Sequence, residues 1–216
     1  ERTELRGAYV TLRPLDPARD AEPLFAVSRD PAIWTYLFDG PYSSVDEFRR
    51  SLGAAALLED PLRYTLEREG RPEGMASYTR IKPDHGVLEL ANIWFGTPMQ
   101  RTTAATEAIY LLAKNAFEEL GYRRVEWKCD ALNAGSRRSA ERLGFVFEGI
   151  FEQHMVVKGR SRDTAWYAIT DKRWPAVRAA FDAWLAPENF DAEGRQRQQL
   201  GHLRFTPRTP LGRHGA

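Results

Sequence analysis

Gln100-Arg101-Thr102-Thr103-Ala104-Ala105-Thr106-Glu107 is the stretch that decides how this chain is read. It lies between an apolar, strand-like run ending at Phe95 and an amphipathic helical pattern ending near Leu120. The spacing predicts a helix over 102–120, with Ile109, Leu112, Ala113, Ala116, Phe117 and Leu120 on one face and Gly121 closing it. Small and hydroxyl residues at such a junction present backbone N–H groups at the helix start. These groups have no partner inside the helix, and the helix dipole adds positive potential. The stretch therefore reads as an anion site, commonly a phosphate site.

On the N-terminal side, alternation over 5–15 predicts a first strand. Asp16-Pro17 opens a helix that Pro23 interrupts. An aromatic loop with Trp34, Tyr36, Phe38 and Tyr42 follows, and Ser44-Val45-Asp46-Glu47 is a capping-box pattern for a helix to about Leu58. Strands are expected at 63–69 and 74–81 around Glu69-Gly70-Arg71-Pro72, and again at 86–95. On the C-terminal side, 123–130 reads as a strand and 133–143 as a short helix stopped by Gly144. A long hairpin, 145–157 with 163–169, turns at Lys158-Gly159-Arg160-Ser161, and a last helix covers 174–185. Interleaved in this way, the elements predict one mixed α/β sheet with helices on both faces. Residues 1–187 form that single domain. Residues 188–216, rich in Arg, Gln, Gly and Pro, read as a mobile or loosely docked tail.

With 216 residues, 43% hydrophobic and 28% charged, the chain can bury a substantial core. A net charge of +1 gives no electrostatic case for nucleic acid. Its single cysteine, Cys129, excludes an intramolecular disulfide, and the four histidines (His85, His154, His202, His214) show no metal-ligand spacing, so no metal is expected. No apolar run is long enough to span a bilayer, so no membrane partner is expected and cytoplasmic is the default location.

Three spaced blocks then agree in order. They are Glu89-Leu90 through Ala108, Asn133 through Ser136 with Glu141-Arg142-Leu143-Gly144-Phe145, and Glu148-Gly149 with the hairpin Lys158-Gly159-Arg160 to Asp163-Thr164. Together with Leu12-Arg13-Pro14-Leu15, they make residues 5–175 resemble the GNAT superfamily of acyl-CoA-dependent N-acetyltransferases, nearest its RimJ/RimL-like branch. The resemblance implies an α/β (α+β) fold with a mostly antiparallel central sheet, splayed near its middle to hold acyl-CoA. It implies acetyl transfer from acetyl-CoA to a primary amine, a protein N-terminus or a small molecule. Many relatives are dimers, so a homodimer is possible.

What the resemblance implies can be placed residue by residue. The family loop, Gln/Arg-x-x-Gly-x-Gly/Ala, falls on Gln100, Arg101, Thr102, Thr103, Ala104 and Ala105, and Thr103 stands where the first glycine is usual. Its hydroxyl could compensate by capping the helix or donating to a phosphate. Arg101, Arg137, Arg138 and Arg142 are candidate phosphate partners. Asn133 would bond the pantetheine arm while also serving as an N-cap, and Ser136 would lie near the thiol. Backbone N–H groups from Asn92, Ile93, Trp94 and Phe95 would serve pantetheine and the oxyanion.

Glu89, among apolar neighbours, is the expected general base, its pKa raised by desolvation; the alternative is a cross-strand ion pair. Asp130 is the second candidate base. A tyrosine acid is usual four residues before the Gly-Phe pair, but Ala140 stands there, leaving Ser136 or a water to protonate the leaving thiolate. Cys129 reads as core rather than nucleophile. Trp34, Tyr36 and Phe38 would line the acceptor groove or cover the core. A second reading, a non-catalytic acyl-CoA-binding domain, draws on Thr103 and Ala140.

Overall fold

The computed structural model describes residues 3–204. The last part of the tail, 205–216, lies outside them. Eight strands form one sheet in the order β1-β2-β3-β4-β5-β6-β8-β7: β1 Leu5–Arg6, β2 Thr11–Pro14, β3 Leu62–Arg68, β4 Arg71–Lys82, β5 Val87–Phe95, β6 Arg124–Asp130, β7 Val146–Val157 and β8 Arg160–Thr170. Every neighbouring pair is antiparallel except β5–β6, which is parallel. A parallel pair requires a crossover. Helix α3, Thr103–Lys114, supplies most of it and continues through a wider π turn, Asn115–Glu119, to left-handed Gly121.

Helices α1, Pro17–Val27, and α2, Val45–Ala56, cover one face, where Leu24, Trp34, Phe48, Leu52, Met75 and Trp94 form a core. Helix α3 and helix α5, Trp174–Leu185, cover the other face over a larger core that includes Leu12, Tyr78, Leu88, Leu90, Val125, Tyr167 and Phe181. Alternation along β4 sends Met75 to the first core and Ala76 to the second; on β5, Leu88 and Leu90 join the second, and an irregularity in the pairing before Trp94 turns that residue to the first.

Several local expectations change. The strand expected over 5–15 is two short strands, because the chain reverses where Gly7 N–H donates to the Val10 carbonyl at 2.9 Å. The buried Glu107 carboxylate accepts from the N–H groups of Ala8, Tyr9 and Val10 at 2.8, 2.6 and 3.0 Å. Alternation cannot register a turn held by a side chain about a hundred residues away. Pro23 does not break α1. The carbonyl it leaves unpaired belongs to exposed Arg19, where water can serve it.

The capping box forms with one shift. Ser44 Oγ accepts from Glu47 N–H at 3.2 Å, while the Glu47 carboxylate accepts from Ser43 N–H at 2.8 Å rather than from Ser44. Helix α4, Ala134–Arg142, follows β6, with Asn133 as its N-cap. Beyond α5, Asn189 bonds the Trp184 and Gln198 carbonyls, Gln196 accepts from Trp184 Nε1, and Leu200 is buried in the larger core.

Candidate active site

The site begins where β5 and β6 part. Their register runs from Val87 opposite Arg124 to Leu90 opposite Trp127 and no further. Beyond Leu90, β5 stays with β4 but bulges: Ser77 faces Ala91 and Met75 faces Trp94, so two residues of β5 occupy the space of one. Asn92 takes the left-handed conformation at φ 51°, which asparagine tolerates better than most residues. Its Nδ2 donates to Ser77 Oγ at 2.9 Å, and Ser77 Oγ donates to the Ala91 carbonyl at 2.9 Å. A bulge sharpens strand twist, and here it carries β5 away from β6.

The gap joins two cavities on opposite faces of the sheet. The one on the α3/α5 face, about 860 Å³, runs from Ile93, Phe95 and the start of α3 past Asn133, Ser136 and Arg142 to Trp184, Phe190 and Gln196. Its partner on the α1/α2 face, about 620 Å³, is lined by Tyr36, Phe38, Arg63, Glu89, Asp130, His154 and Arg162 among others. Ile93, Trp127, Asn133 and Ser136 line both.

The first cavity carries the helix start at which an anion is expected. Gly96 N–H donates to the Glu73 carbonyl at 2.7 Å, and Gln100 Nε2 donates to the Phe95 carbonyl at 3.0 Å, fixing the loop 96–102. Thr102 is the N-cap: its hydroxyl donates to the Met99 carbonyl at 2.7 Å and accepts from Ala105 N–H at 3.2 Å. Neither the Thr103 nor the Ala104 N–H is drawn into these bonds, and both sit in the first helical turn. The left-handed residue of the loop is Arg101, φ 60°, not Thr103. Thr103 already has helical backbone, so glycine's freedom is not needed there. Arg101 and Arg142 both line this cavity; Arg142 Nη2 donates to Thr106 Oγ1 at 2.7 Å. Arg137 is turned elsewhere, donating to Tyr167 Oη and the Ala131 carbonyl.

At the gap, Asn133 Oδ1 accepts from Ser136 N–H at 3.0 Å, and Trp127 Nε1 donates to Ser136 Oγ at 2.9 Å. The Asn133 cap thus uses its oxygen and leaves its amide N–H₂ on the cavity wall. Cys129 lies beside Ser136, and burial pushes its thiol pKa up, which keeps it protonated. Ala140 is fully buried in the core and faces neither cavity.

In the second cavity, Glu89 is 5% exposed. Burial pushes its pKa above the ordinary carboxylate range, against the opposing pull of Lys128 at 2.8 Å and Arg80 at 3.2 Å. Both readings of Glu89, desolvated acid and ion-pair member, hold together. Lys128 is shared: Nζ is 2.6 Å from Glu126 and 4.0 Å above the Trp166 ring. Asp130 closes the strand, and its Oδ1 accepts from Leu132 N–H at 2.9 Å. His154 also enters the cavity, its Nδ1 3.0 Å from Thr164 Oγ1. Burial, then Arg80, Arg162 and Lys128, push its pKa down.

The aromatic loop divides. Tyr36 and Phe38 line the cavity, whereas Trp34 is 2% exposed, donates Nε1 to the Ser28 carbonyl and packs on Tyr42, Phe48 and Trp94 beneath it. Trp94 likewise turns its ring into that core, so only its backbone faces the gap. Sequence reasoning missed Arg63, Arg80, Lys128 and Arg162 on one side and Trp184, Phe190 and Gln196 on the other. No local motif marks them. Among the described residues, no group of three or more His, Cys, Asp or Glu could hold a metal ion, and no helix is long and apolar enough to cross a membrane.

A model of the acetyltransferase (GNAT) domain matches residues 10–146. The chain belongs to the GNAT acetyltransferase family. A GCN5-related N-acetyltransferase from Brucella melitensis is 45% identical, superposes with a TM-score of 0.93, and the match covers 94% of this chain and 95% of that one. A Bacillus subtilis (strain 168) protein named as a ribosomal N-acetyltransferase, YdaF, is 26% identical over 177 residues, 77% of this chain and 93% of its own length. RimL, described as a ribosomal L7/L12 alpha-N-protein acetyltransferase, is 20% identical over 78% of this chain and 94% of its own. It shares the fold at a TM-score of 0.69. This GNAT chain shares its overall fold with these solved relatives.

Proposed function

We propose that the chain transfers the acetyl group of acetyl-CoA to a primary amine, with a protein N-terminus as the favoured acceptor. The observation that carries this is the meeting of two cavities through the β5–β6 gap, one with an anion site and the other with a buried carboxylate. A two-substrate transfer needs both partners held within reaction distance while approaching from different sides. The relatives named for ribosomal N-acetylation support a protein N-terminus as the acceptor.

Acetyl-CoA supplies the activated thioester. The Thr103 and Ala104 N–H groups, with Arg101 and Arg142 nearby, suit its pyrophosphate. Asn133, through its free amide N–H₂, and the backbone of Ile93, Trp94 and Phe95 hold the pantetheine arm and polarise the acetyl carbonyl from the strand edge that β6 has left. Glu89 takes the ammonium proton, directly or through water, and its raised pKa suits that work near neutral pH. Ser136, between Trp127 and Cys129 at the gap, is the hydroxyl placed to return a proton to the leaving thiolate. Asp130 shapes the cavity mouth.

The non-catalytic reading loses one of its supports, because Thr103 occupies a helical position that asks for no glycine. Calorimetry with acetyl-CoA and CoA, followed by thiol release on a panel of amines and N-terminal peptides, tests the proposal. Binding of acetyl-CoA with turnover on the panel is expected. Absence of binding to either nucleotide would overturn it, and binding without turnover would restore the non-catalytic reading.

A further inference from the structure

The acceptor cavity receives four basic side chains, and three of them have acidic partners. Lys128 bridges Glu126 and Glu89, Arg80 lies 3.2 Å from Glu89, and Arg63 lies 3.9 Å from Asp39. Arg162 is different. It stands on β8 two residues before Thr164, which faces Asp130, so it shares the cavity face of the sheet. It is 6% exposed, and its Nε is buried with no hydrogen-bond partner. Among the described residues its side chain makes no ion pair. Its close neighbour is the Phe38 ring, 5.3 Å from the guanidinium carbon. Arg63 adds a second buried Nε without a partner.

Asp130 and Glu89 act on Arg162 only at longer range, and a buried guanidinium that no carboxylate contacts is costly, so proteins rarely keep one idle. Guanidinium presents paired donors in a plane that matches a carboxylate. The surrounding cations also disfavour an ammonium ion, which helps the acceptor amine bind neutral, as attack requires. We propose that Arg162, with Arg63 beside the same cavity, is a carboxylate clamp: the acceptor amine belongs to a molecule carrying an acidic group close to that amine. The proposal rests on the acetyl-transfer reading and names the acceptor class within it. The acid is either the α-carboxylate of a free amino acid or an acidic side chain near a peptide's N-terminus, and the two sources can be told apart.

The test uses the full chain, acetyl-CoA and matched acceptor pairs. Free glutamate and leucine are set against their α-amides. Peptide amides beginning Ser-Glu, Ser-Asp and Glu-Ser are set against the same peptides with Gln or Asn. At least one source is expected to prefer the acid by about tenfold or more in kcat/KM, as sites built around a buried charge reject uncharged analogues. Arg162→Met should abolish that preference through KM, leave KM for acetyl-CoA unchanged, and keep or raise Tm, because it removes an unpaired buried charge. Calorimetric titration of the CoA-saturated protein with the same pairs gives a readout that needs no turnover. Turnover without acid preference overturns the clamp and leaves acetyl transfer standing. Acid-selective binding that Arg162→Met removes, without turnover, keeps the clamp and overturns the transfer reading. Absence of both turnover and acid-selective binding overturns the clamp as well as the transfer reading.

Discussion

The two cavities that meet at the β5–β6 gap are built in opposite ways. The cavity on the α3/α5 face, proposed for acetyl-CoA, draws its proposed anion site from one continuous stretch, 93–106, with backbone N–H groups and a helix terminus. The cavity on the α1/α2 face, proposed for the acceptor, takes side chains from the aromatic loop and from β3, β4, β5, β6, β7 and β8, and is built on charge: Glu89, Lys128, Arg80, Arg63 and Arg162. A backbone site tolerates changes of side chain so long as the helix starts where it does. A charge network depends on each member, because removing one partner leaves another buried and unpaired. On the proposed reading the half that binds acetyl-CoA is therefore the robust one, and the half that selects the acceptor is the fragile one.

Four substitutions press on that contrast. The largest effect is expected from Glu89→Gln, which should lower kcat by about 10²-fold or more while leaving acetyl-CoA affinity unchanged. Glu89 acts as a base only when ionised, and burial raises its pKa. The acid limb of the wild-type kcat/KM profile should therefore lie above that of an exposed glutamate, with rate rising as pH rises through it. The limb should vanish in Glu89→Gln. An unchanged profile would return Glu89 to a purely structural ion pair and move attention to Asp130, which lines the same cavity.

Thr103→Asp comes next. It sets a negative charge on the phosphate site but favours the helix dipole, so the acetyl-CoA Kd should rise about tenfold, with Tm unchanged or higher. Weaker binding together with a lower Tm would mean that the loop had collapsed rather than repelled its ligand. Arg101→Gly should relieve the left-handed backbone and stabilise the fold by about 1 kcal/mol in denaturant titration, with acetyl-CoA affinity within about threefold of wild type. A larger loss of affinity would make the Arg101 side chain, rather than the backbone, the phosphate contact. Cys129→Ala should change least. Its thiol is buried and protonated, so initial rates should stay within about twofold of wild type, whereas a collapse of turnover would point to covalent transfer.

Much of the fold was legible because its signals are local. The helical stripe from Ile109 to Phe117, the Asn133 and Ser44 caps, the Gly121 stop and the 145–170 hairpin all depend on residues within a turn or two of one another, whereas Leu120, expected on the same stripe, lies exposed past the π turn. A distant group decided what neighbouring residues could not. Glu107 folds 7–10 into a turn where one strand was expected, and of the two readings of Trp34, facing the acceptor or covering the core, packing with Phe48 and Trp94 selects the core. On the catalytic side, Glu89 could be chosen from its apolar neighbours. Lys128 could not be seen as its partner, because β5 and β6 are joined only through the crossover helix.

The sequence by itself determined the family, the strand-to-helix junction between Phe95 and Thr103 and the apolar setting of Glu89, since each is written in neighbouring residues and their periodicity. Only the tertiary structure decided that the left-handed residue of the loop is Arg101 and that an Asn92 bulge parts the strands. It alone brought the unpaired Arg162 to the acceptor's side of the gap. Those outcomes depend on register between strands far apart in the chain, and on which buried charges find partners. No local pattern encodes either.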